Sequence, residues 1–335
     1  MAVSSLPVCF VACLTRSLPV ASIYFYSYPL PVLFTAPAKP VFKWAGGKGR
    51  LLPEIIRRLP AVLKQGRITS YAEPFIGGGA IFFHLAEQYN FEHLLISDVN
   101  EDLFLAYSVV REDVEALLQH LQRLQTHYAA LAAEAQSAFY YATRTAFNAA
   151  RPNWCYNRFE PSWVERAAQF FLLNRLCFNG LYRVNSRTEF NVPFGKYRTV
   201  NFGSAESLRA ASRVLQRTVV QRGDFAVSTA FADERTLVYL DPPYRPITPT
   251  SSFTTYARQA FGDAEQLRLA AHFRALTRQG SFVMLSNSDP FTATGDTFFE
   301  ELYAGFNISR LHAARAINAN GAGRGTVSEL LITNY

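Results

Sequence analysis

A short apolar run, residues 237–240, ends directly in the tetrapeptide Asp241-Pro242-Pro243-Tyr244. Because the run is brief, rich in β-prone residues and followed by prolines, it predicts a buried parallel strand. An acid at the carboxyl end of such a strand lies where open α/β sheets bind their ligands. The prolines lack N–H groups, so their carbonyls remain as fixed acceptors beside an aromatic ring. This cluster suits the exocyclic amino group of a flat base, although an ordinary strand-end turn can use the same residues.

Similar strand-like runs alternate with helical patterns along the chain. They lie at residues 68–72, 94–97, 218–221, 237–240, 282–286 and 330–333. This alternation predicts an α/β fold with a largely parallel sheet. Between residues 101 and 178 there is no convincing strand, and much of the stretch has apolar residues at helical spacing. The sequence therefore predicts a helical insertion within the sheet domain.

The basic residues are concentrated in and after this insertion. Residues 144–222 contain 13 Lys and Arg against 4 acids, a net charge of +9, whereas the whole chain carries +7 and the remainder therefore −2. Aromatic and amide side chains are interleaved with the cations. Cations neutralise phosphates, while amides and rings read and stack on bases, so the mixture favours a nucleic-acid partner over a merely solvated basic face.

The cysteines and the amino-terminal residues limit other classes of function. The four cysteines have neither metal-ligand nor disulfide spacing, so we expect no metal and a reducing compartment. Residues 17–38 are uncharged and mostly apolar, but four prolines interrupt them and argue against a membrane-spanning helix. We interpret residues 1–39 as an extension outside the fold, either disordered or the product of a mis-assigned start codon.

A glycine-rich turn predicts a nucleotide-like ligand. Residues 73–79, Glu-Pro-Phe-Ile-Gly-Gly-Gly, follow the first strand and precede a helical run, and Asp98 ends the next strand. Strand, glycine turn, helix and strand-end acid together favour an adenosine-containing cofactor, although a plain tight turn is the simpler alternative. The Lys-Trp-Ala-Gly-Gly-Lys segment at residues 43–48 lacks the Walker pattern, so a phosphate-binding loop is not supported there.

Several of these motifs, in this order, resemble those of the Dam-like, D12 class adenine-N6 DNA methyltransferases. The matching segments are residues 43–48, 73–79, Ser-Asp-Val-Asn at 97–100, 174–185, 189–197, Asp-Pro-Pro-Tyr at 241–244, Phe-Thr-Thr-Tyr at 253–256 and Ser-Asn-Ser-Asp at 286–289. The resemblance covers roughly residues 40–335. It implies a Rossmann-like S-adenosylmethionine-dependent methyltransferase sheet with an inserted, mainly helical DNA-recognition domain. The expected catalytic domain comprises residues 40–110 and 215–335, and the recognition domain comprises residues 111–214.

The resemblance also implies roles for individual residues. The expected catalytic residues are Asp241, Pro242, Pro243 and Tyr244. Those expected to bind S-adenosylmethionine are Trp44, Lys48, Glu73, Phe75, Gly77, Asp98 and Asp241. Those expected to contact double-stranded DNA, within the site GATC, are Lys43, Phe178, Asn179, Leu181, Arg183, Asn185, Pro193, Lys196 and Tyr197.

These roles predict a mechanism in which adenine leaves the duplex before it reacts. Asp241 and the Pro242 carbonyl would accept hydrogen bonds from the amino group, Tyr244 would stack on the base, and Phe178 would fill the gap left in the helix. Arg183 is expected to read a guanine edge, with a phosphate contact as the alternative. We expect a cytoplasmic monomer that associates with the nucleoid through DNA. The sequence leaves open whether a restriction enzyme accompanies it.

Two other activities share some of these features. An N4-cytosine DNA methyltransferase also acts on an exocyclic amine, but the Asp at the first position of the tetrapeptide favours adenine. An NAD-dependent dehydrogenase would explain the glycine turn and Asp98, yet it leaves the basic insertion and residues 241–244 without a role.

Overall fold

The computed structural model describes residues 36–150, 156–246, 261–314 and 326–335. All of these lie in one compact unit, Thr35–Tyr335. The expected extension falls mostly outside the described residues, as do residues 253–256. Ala38, however, is buried and its N–H donates to Glu87, and the Pro37 carbonyl accepts from Ser207 at 3.3 Å. The chain therefore already packs on the fold at residues 37 and 38, just before the expected boundary.

A seven-stranded sheet forms the centre of the molecule, where the alternating pattern predicted a largely parallel sheet with six strands. Its strands are β1 (Ser70–Glu73), β2 (His93–Asp98), β3 (Thr218–Arg222), β4 (Thr236–Leu240), β5 (Phe282–Ser288), β6 (Asn307–Ala314) and β7 (Thr326–Thr333). They lie in the order β3-β2-β1-β4-β5-β7-β6. The first five are parallel, and β7 pairs antiparallel with both β5 and β6. All six expected strands are present.

The seventh strand, β6, was not predicted from the sequence. Its residues include Asn307, Ser309, Arg310 and His312, so it lacks a continuous apolar run. It lies at the edge of the sheet, and its neighbour among the described strands is β7. An edge strand can remain polar because one side of it faces solvent, and this is why hydrophobicity alone does not reveal it.

The helices flank the sheet and extend beyond one of its faces. They are α1 (Leu52–Arg57), α2 (Ala61–Lys64), α3 (Ala80–Gln88), α4 (Glu101–Glu112), α5 (Val114–Ala130), α6 (Ala133–Ala150), α7 (Ser162–Leu176), α8 (Ala205–Gln216), α9 (Asp263–Arg278), α10 (Pro290–Thr294) and α11 (Phe298–Leu302). Helices α5, α6 and α7 fall in the predicted insertion. Their apolar faces pack into the same core that contains α3, α4 and α8. A separate core on the opposite face contains α9 and α11.

Strand order determines where ligands can bind. The central strands β1 and β4 are fully buried, which explains the almost continuous apolar sequence of β4. The order reverses between them, because β2 and β3 lie on one side and β5 on the other. In open parallel sheets the crevice at such a reversal, at the carboxyl ends of the strands, is the usual ligand site.

Candidate active site

Three acids end the strands on either side of this reversal. Glu73 is the last residue of β1, Asp98 is the last residue of β2, and Asp241 follows β4. Parallel strands present their carboxyl ends at one edge, so the three carboxyl groups lie along the same crevice. The sequence analysis assigned a site role to each of them.

One oxygen of the Asp241 carboxylate is held by two neighbours. The Lys48 ammonium lies 2.8 Å from Oδ1, and the Ser286 hydroxyl donates to the same atom at 2.7 Å. Lys48 is almost fully buried, with a side chain 5% exposed, against 19% for Asp241. The Tyr239 hydroxyl is hydrogen-bonded to the Ser286 hydroxyl at 3.1 Å and so helps to orient it. Among the described residues no group donates to Oδ2, so this oxygen is available as an acceptor.

The residues after Asp241 are fixed by side chains from α9 and β5. Gln266 donates to the Pro243 carbonyl at 3.3 Å, and Asn287 both donates to Gln266 and accepts from the Arg245 N–H. Ser288 donates to the Arg245 carbonyl at 2.7 Å. Asn287 and Ser288, in the segment at 286–289, therefore position the tetrapeptide from the neighbouring strand β5.

Tyr244 is oriented by an acid that sequence reasoning missed. Its hydroxyl donates to Glu329 Oε2 at 2.5 Å, and the Lys48 ammonium lies 4.5 Å from the centre of its ring. Burial raises the pKa of Tyr244 well above its usual value, and the charges of Asp241 and Glu329 raise it further. The phenol therefore stays protonated and acts as a hydrogen-bond donor. Glu329 lies in β7, far from any motif, so no local pattern indicated it.

The glycine turn has a structural role of its own, besides the expected approach of a ligand. A Cβ on Gly77 would lie 2.7 Å from the Trp44 indole, and one on Gly78 would lie 2.8 Å from the Phe42 carbonyl. Gly77 also has a φ of +46°, a conformation that side chains disfavour. These glycines are thus needed for the close approach of residues 42–44. The Gly77 N–H faces Asp98 at 3.3 Å, and Tyr107 donates to the Gly77 carbonyl.

Burial perturbs the two carboxyl groups on this side of the crevice. It raises the pKa of Asp98 from 3.8 to about 6, against the opposing effect of hydrogen bonds from the Asn100 and Gly77 N–H groups. Burial also raises the pKa of Glu73 well above its usual value, as does the charge of Asp241, while the Tyr71 hydroxyl and Lys48 oppose the rise. Tyr71 donates to Glu73 at 2.7 Å.

Aromatic side chains line both ends of the crevice. The half-buried Trp44 stacks on Tyr182, with ring centres 5.4 Å apart and planes 28° from parallel. Phe75 packs between Phe225 and Phe261, at 5.7 and 5.8 Å. The structure thus brings the expected cofactor residues into two adjoining groups. Trp44, Gly77 and Asp98 form one, and Lys48, Glu73 and Asp241 form the other.

The segment expected to recognise DNA is a short hairpin. Its arms bridge at Cys177 with Phe194 and at Val184 with Phe190, both antiparallel. Helix α6 holds the returning arm, since Tyr140 donates to the Val192 carbonyl and Asn148 exchanges two hydrogen bonds with the Phe190 backbone. A rigid hairpin of this kind can present side chains in a fixed register.

Several expected DNA-contacting side chains are exposed on this hairpin. Phe178 is 51% exposed, an unusual state for a large apolar side chain. Arg183 is also exposed, and Asn191 accepts from its Nε at 2.8 Å. The exposed Pro193 and Lys196 lie on the returning arm, while Asn179 has a left-handed φ of 55°. These placements leave the DNA-contacting roles as predictions.

The remaining expected DNA residues have structural contacts of their own. Asn185 closes the hairpin turn: its side chain donates to Glu189 at 2.7 Å and accepts from the Arg187 and Glu189 N–H groups. The Lys43 ammonium lies 5.3 Å from the Tyr197 ring, and Leu181 packs partly into the core. Asn185 therefore supports the turn, whatever its contact with DNA.

Two general features of the described ranges bear on the class of site. Within residues 36–150, 156–246, 261–314 and 326–335, no three His, Cys, Asp or Glu side chains converge as metal ligands would. Of the helices in this part of the chain, none combines the length and apolarity that a membrane-spanning segment requires.

Comparison with known proteins identifies the family. Residues 44–317 match the D12 class N6 adenine-specific DNA methyltransferases. The chain is 43% identical over 298 residues to the type II methyltransferase M.MjaIII of Methanocaldococcus jannaschii, covering 89% of this chain and 99% of the relative. It is 35% identical over 295 residues to the DNA adenine methylase of Haemophilus influenzae, covering 88% and 92%. It is 32% identical over 292 residues to the DNA adenine methylase of Escherichia coli K12, covering 86% of this chain and 92% of the relative. The chain belongs to the D12 class of adenine-specific DNA methyltransferases.

Proposed function

We propose that this enzyme transfers a methyl group from S-adenosylmethionine to N6 of an adenine flipped out of double-stranded DNA, within the site GATC. The observation that carries the proposal is the asymmetric environment of Asp241. Lys48 and Ser286 occupy Oδ1, while Oδ2 and the Pro242 carbonyl have no donor among the described residues. Two adjacent acceptors match the two N–H groups of an exocyclic amine.

The residues around the crevice fit S-adenosylmethionine. Asp98 is a partly buried carboxyl group at a strand end, the position from which acids bind ribose hydroxyls. Each of its oxygens accepts one backbone N–H and retains a further lone pair. Trp44 and Phe75 provide aromatic surfaces for an adenine ring, and Lys48 and Glu73 lie towards Asp241. Bound S-adenosylmethionine supplies an electrophilic methyl group.

Asp241 would activate the target amine by accepting its hydrogen bonds. The lone pair of an adenine amino group is delocalised into the ring, so the amine is a poor nucleophile. Hydrogen bonds to Asp241 Oδ2 and the Pro242 carbonyl favour the pyramidal nitrogen that attacks, and they are strongest when positive charge develops there. Lys48 and Ser286 hold the carboxylate in place for this role, which reduces the reorganisation needed during reaction.

Tyr244 would position the base. Its ring is held by the hydrogen bond to Glu329, and Lys48 lies over one of its faces. The base would stack on the face that Lys48 does not cover. Because N6 lies inside a duplex, it reaches this crevice only if the nucleotide leaves the stack, at a cost of a few kcal/mol. The exposed Phe178 is placed to offset that cost by filling the gap.

Recognition would come from the hairpin. Arg183 can donate two hydrogen bonds to guanine O6 and N7, and its guanidinium is exposed. The specific choice of GATC is supported by the likeness of residues 174–185 and 189–197 to the recognition segment of the Dam-like enzymes. Such an enzyme would act on the chromosome in the cytoplasm, and we propose that it does so as a monomer.

The test is methyl transfer from labelled S-adenosylmethionine to unmethylated plasmid DNA, followed by digestion with endonucleases that differ in sensitivity to adenine methylation at GATC. Incorporation with protection only from the methyl-sensitive enzyme supports the proposal. Incorporation without protection rejects GATC but retains the transferase. The control is Asp241→Ala, which should keep much of its DNA binding yet transfer no methyl group. Near-normal turnover by that variant would overturn the assigned chemistry.

A further inference from the structure

Tyr182 lies between two residues expected to contact DNA, yet its own side chain faces the core. It is 3% exposed, whereas Arg183 beside it is exposed. Successive residues of an extended arm point to opposite sides. The inward contacts of Tyr182 therefore determine how the outward side chain of Arg183 is presented. None of the motif-based assignments gave Tyr182 a role.

The hydroxyl of Tyr182 belongs to a buried ionic network. It donates to Asp102 Oδ2 at 2.8 Å, and the other oxygen of Asp102 forms an ion pair with Arg166, also at 2.8 Å. Both charged side chains are 1% exposed. Arg166 is held in turn by the Phe147 carbonyl at 2.9 Å and by the Phe147 ring. A buried network of this kind has few alternative arrangements, so it fixes the positions of its members.

The same network is attached to the cofactor side of the crevice. Asp102 lies in the first turn of α4, and the N-cap of that helix is Asn100. The Asn100 N–H donates to Asp98 at 2.9 Å. Asp98 and Asp102 are therefore joined by one short, capped segment of chain. The hydroxyl of Tyr182 thus connects the hairpin to α4, which begins three residues after Asp98, the residue expected to bind ribose.

The ring of Tyr182 has a second and separate contact. It stacks on Trp44 at 5.4 Å, and it packs edge-on against Phe170 at 5.8 Å. Trp44 in turn lies against the glycine turn at Gly77. The orientation of the indole over the cofactor side therefore depends on the ring of Tyr182, while its hydroxyl is not involved.

We infer that Tyr182 is a positioning residue with two separable tasks: its ring holds Trp44 for cofactor binding, and its hydroxyl, through Asp102, holds the hairpin so that Arg183 meets the correct base. The inference rests on the proposed function. It assigns site specificity to a buried hydroxyl group that contacts neither DNA nor cofactor.

The two tasks can be separated by substitution. Tyr182→Phe keeps the ring and removes only the hydroxyl, so the affinity for S-adenosylhomocysteine should stay within about twofold. Its ratio of kcat/KM on GATC to that on single-mismatch duplexes should fall by on the order of tenfold, the effect expected for one hydrogen bond to a charged group. Tyr182→Leu removes the ring as well, and its affinity for S-adenosylhomocysteine should fall by a similar factor.

Tyr335→Phe is the matched control, because it also removes one tyrosine hydroxyl, which donates to the Arg58 carbonyl at 3.1 Å. It should change neither the affinity for S-adenosylhomocysteine nor the discrimination between duplexes. Unchanged discrimination by Tyr182→Phe would overturn the inference alone, provided the parent enzyme discriminates. Equal losses of affinity and discrimination in Tyr182→Phe would show a general structural role and overturn it too. A parent that does not discriminate between these duplexes removes the proposed function and this inference together.

Discussion

Cofactor binding should depend on pH through Asp98. Burial raises the pKa of this carboxyl group to about 6. Only the ionised form can accept hydrogen bonds from both ribose hydroxyls with full strength. Affinity should therefore be greatest above pH 6 and should decline as the pH falls through that value. If only the ionised form binds, the dissociation constant should be about tenfold higher at pH 5 than at pH 7.

The assay is calorimetric titration with S-adenosylhomocysteine between about pH 5 and 8. Asp98→Asn keeps the size of the side chain and removes its titration, so its affinity should be lower and independent of pH. Glu73→Gln is the matched control for the other buried acid, whose pKa is raised well above its usual value. In Glu73→Gln the affinity for S-adenosylhomocysteine should still change with pH near pH 6. A parent enzyme whose affinity is constant, or rises towards acid, would refute the reasoning.

The ligand-free protein should show the opposite dependence. The folded pKa of Asp98 lies above its usual value of 3.8, so the folded state binds the proton more tightly than the unfolded chain does. The contribution of Asp98 to stability is therefore largest at low pH and declines as the pH rises, by roughly 2 kcal/mol between about pH 4 and about pH 6. The unfolding free energy of the parent and of Asp98→Asn can be measured by denaturation at these two pH values. The change with pH should be smaller in Asp98→Asn, by the contribution of Asp98.

Three other substitutions test separate parts of the molecule. Arg183→Ala should lower discrimination between bases at one position of the site by about 1–3 kcal/mol. The measurement is kcat/KM on matched and single-mismatch duplexes. An equal loss of kcat/KM on the two kinds of duplex would favour a phosphate contact. Phe178→Ala should reduce turnover on duplex DNA more than on DNA with the target adenine mispaired, because a mispaired base is less costly to flip; equal reductions would remove the gap-filling role. Arg166→Met removes the guanidinium that forms an ion pair with the buried Asp102 carboxylate, and should lower the unfolding free energy in urea by about 3–5 kcal/mol. In the double variant, Asp102→Asn should recover part of the lost unfolding free energy. If the two substitutions instead destabilise the protein additively, the side chains do not act as one network.

Local chemistry in the sequence was sufficient to predict the strands that meet at the crevice. The buried strands β1 and β4 have apolar residues on both faces, and the acids at their ends follow directly in the chain. The tetrapeptide at 241–244 and the glycine turn at 73–79 are contiguous motifs, so their proximity to strand ends could be predicted without a structure. Strand β6 could not, because an edge strand does not need an apolar sequence.

One physical reason for the glycine turn was apparent only in three dimensions. Sequence reasoning expected Gly77 to give room to a ligand. In the structure it gives room to Trp44, a residue more than thirty positions earlier in the chain. Asn185 is a similar case, since its side chain closes the turn in which it lies. A residue type indicates which contacts are chemically available, but only the fold determines which group makes them.

The sequence by itself determined the class of fold and the family resemblance, and it predicted the reacting groups, because these depend on motifs whose residues are close in the chain. Tertiary structure alone decided how those groups are held. Ser286, Glu329 and the Asp102–Arg166 pair lie tens of residues from the side chains that they orient. Such contacts depend on which strands become neighbours and which side chains are buried together, and no local pattern of residues records that.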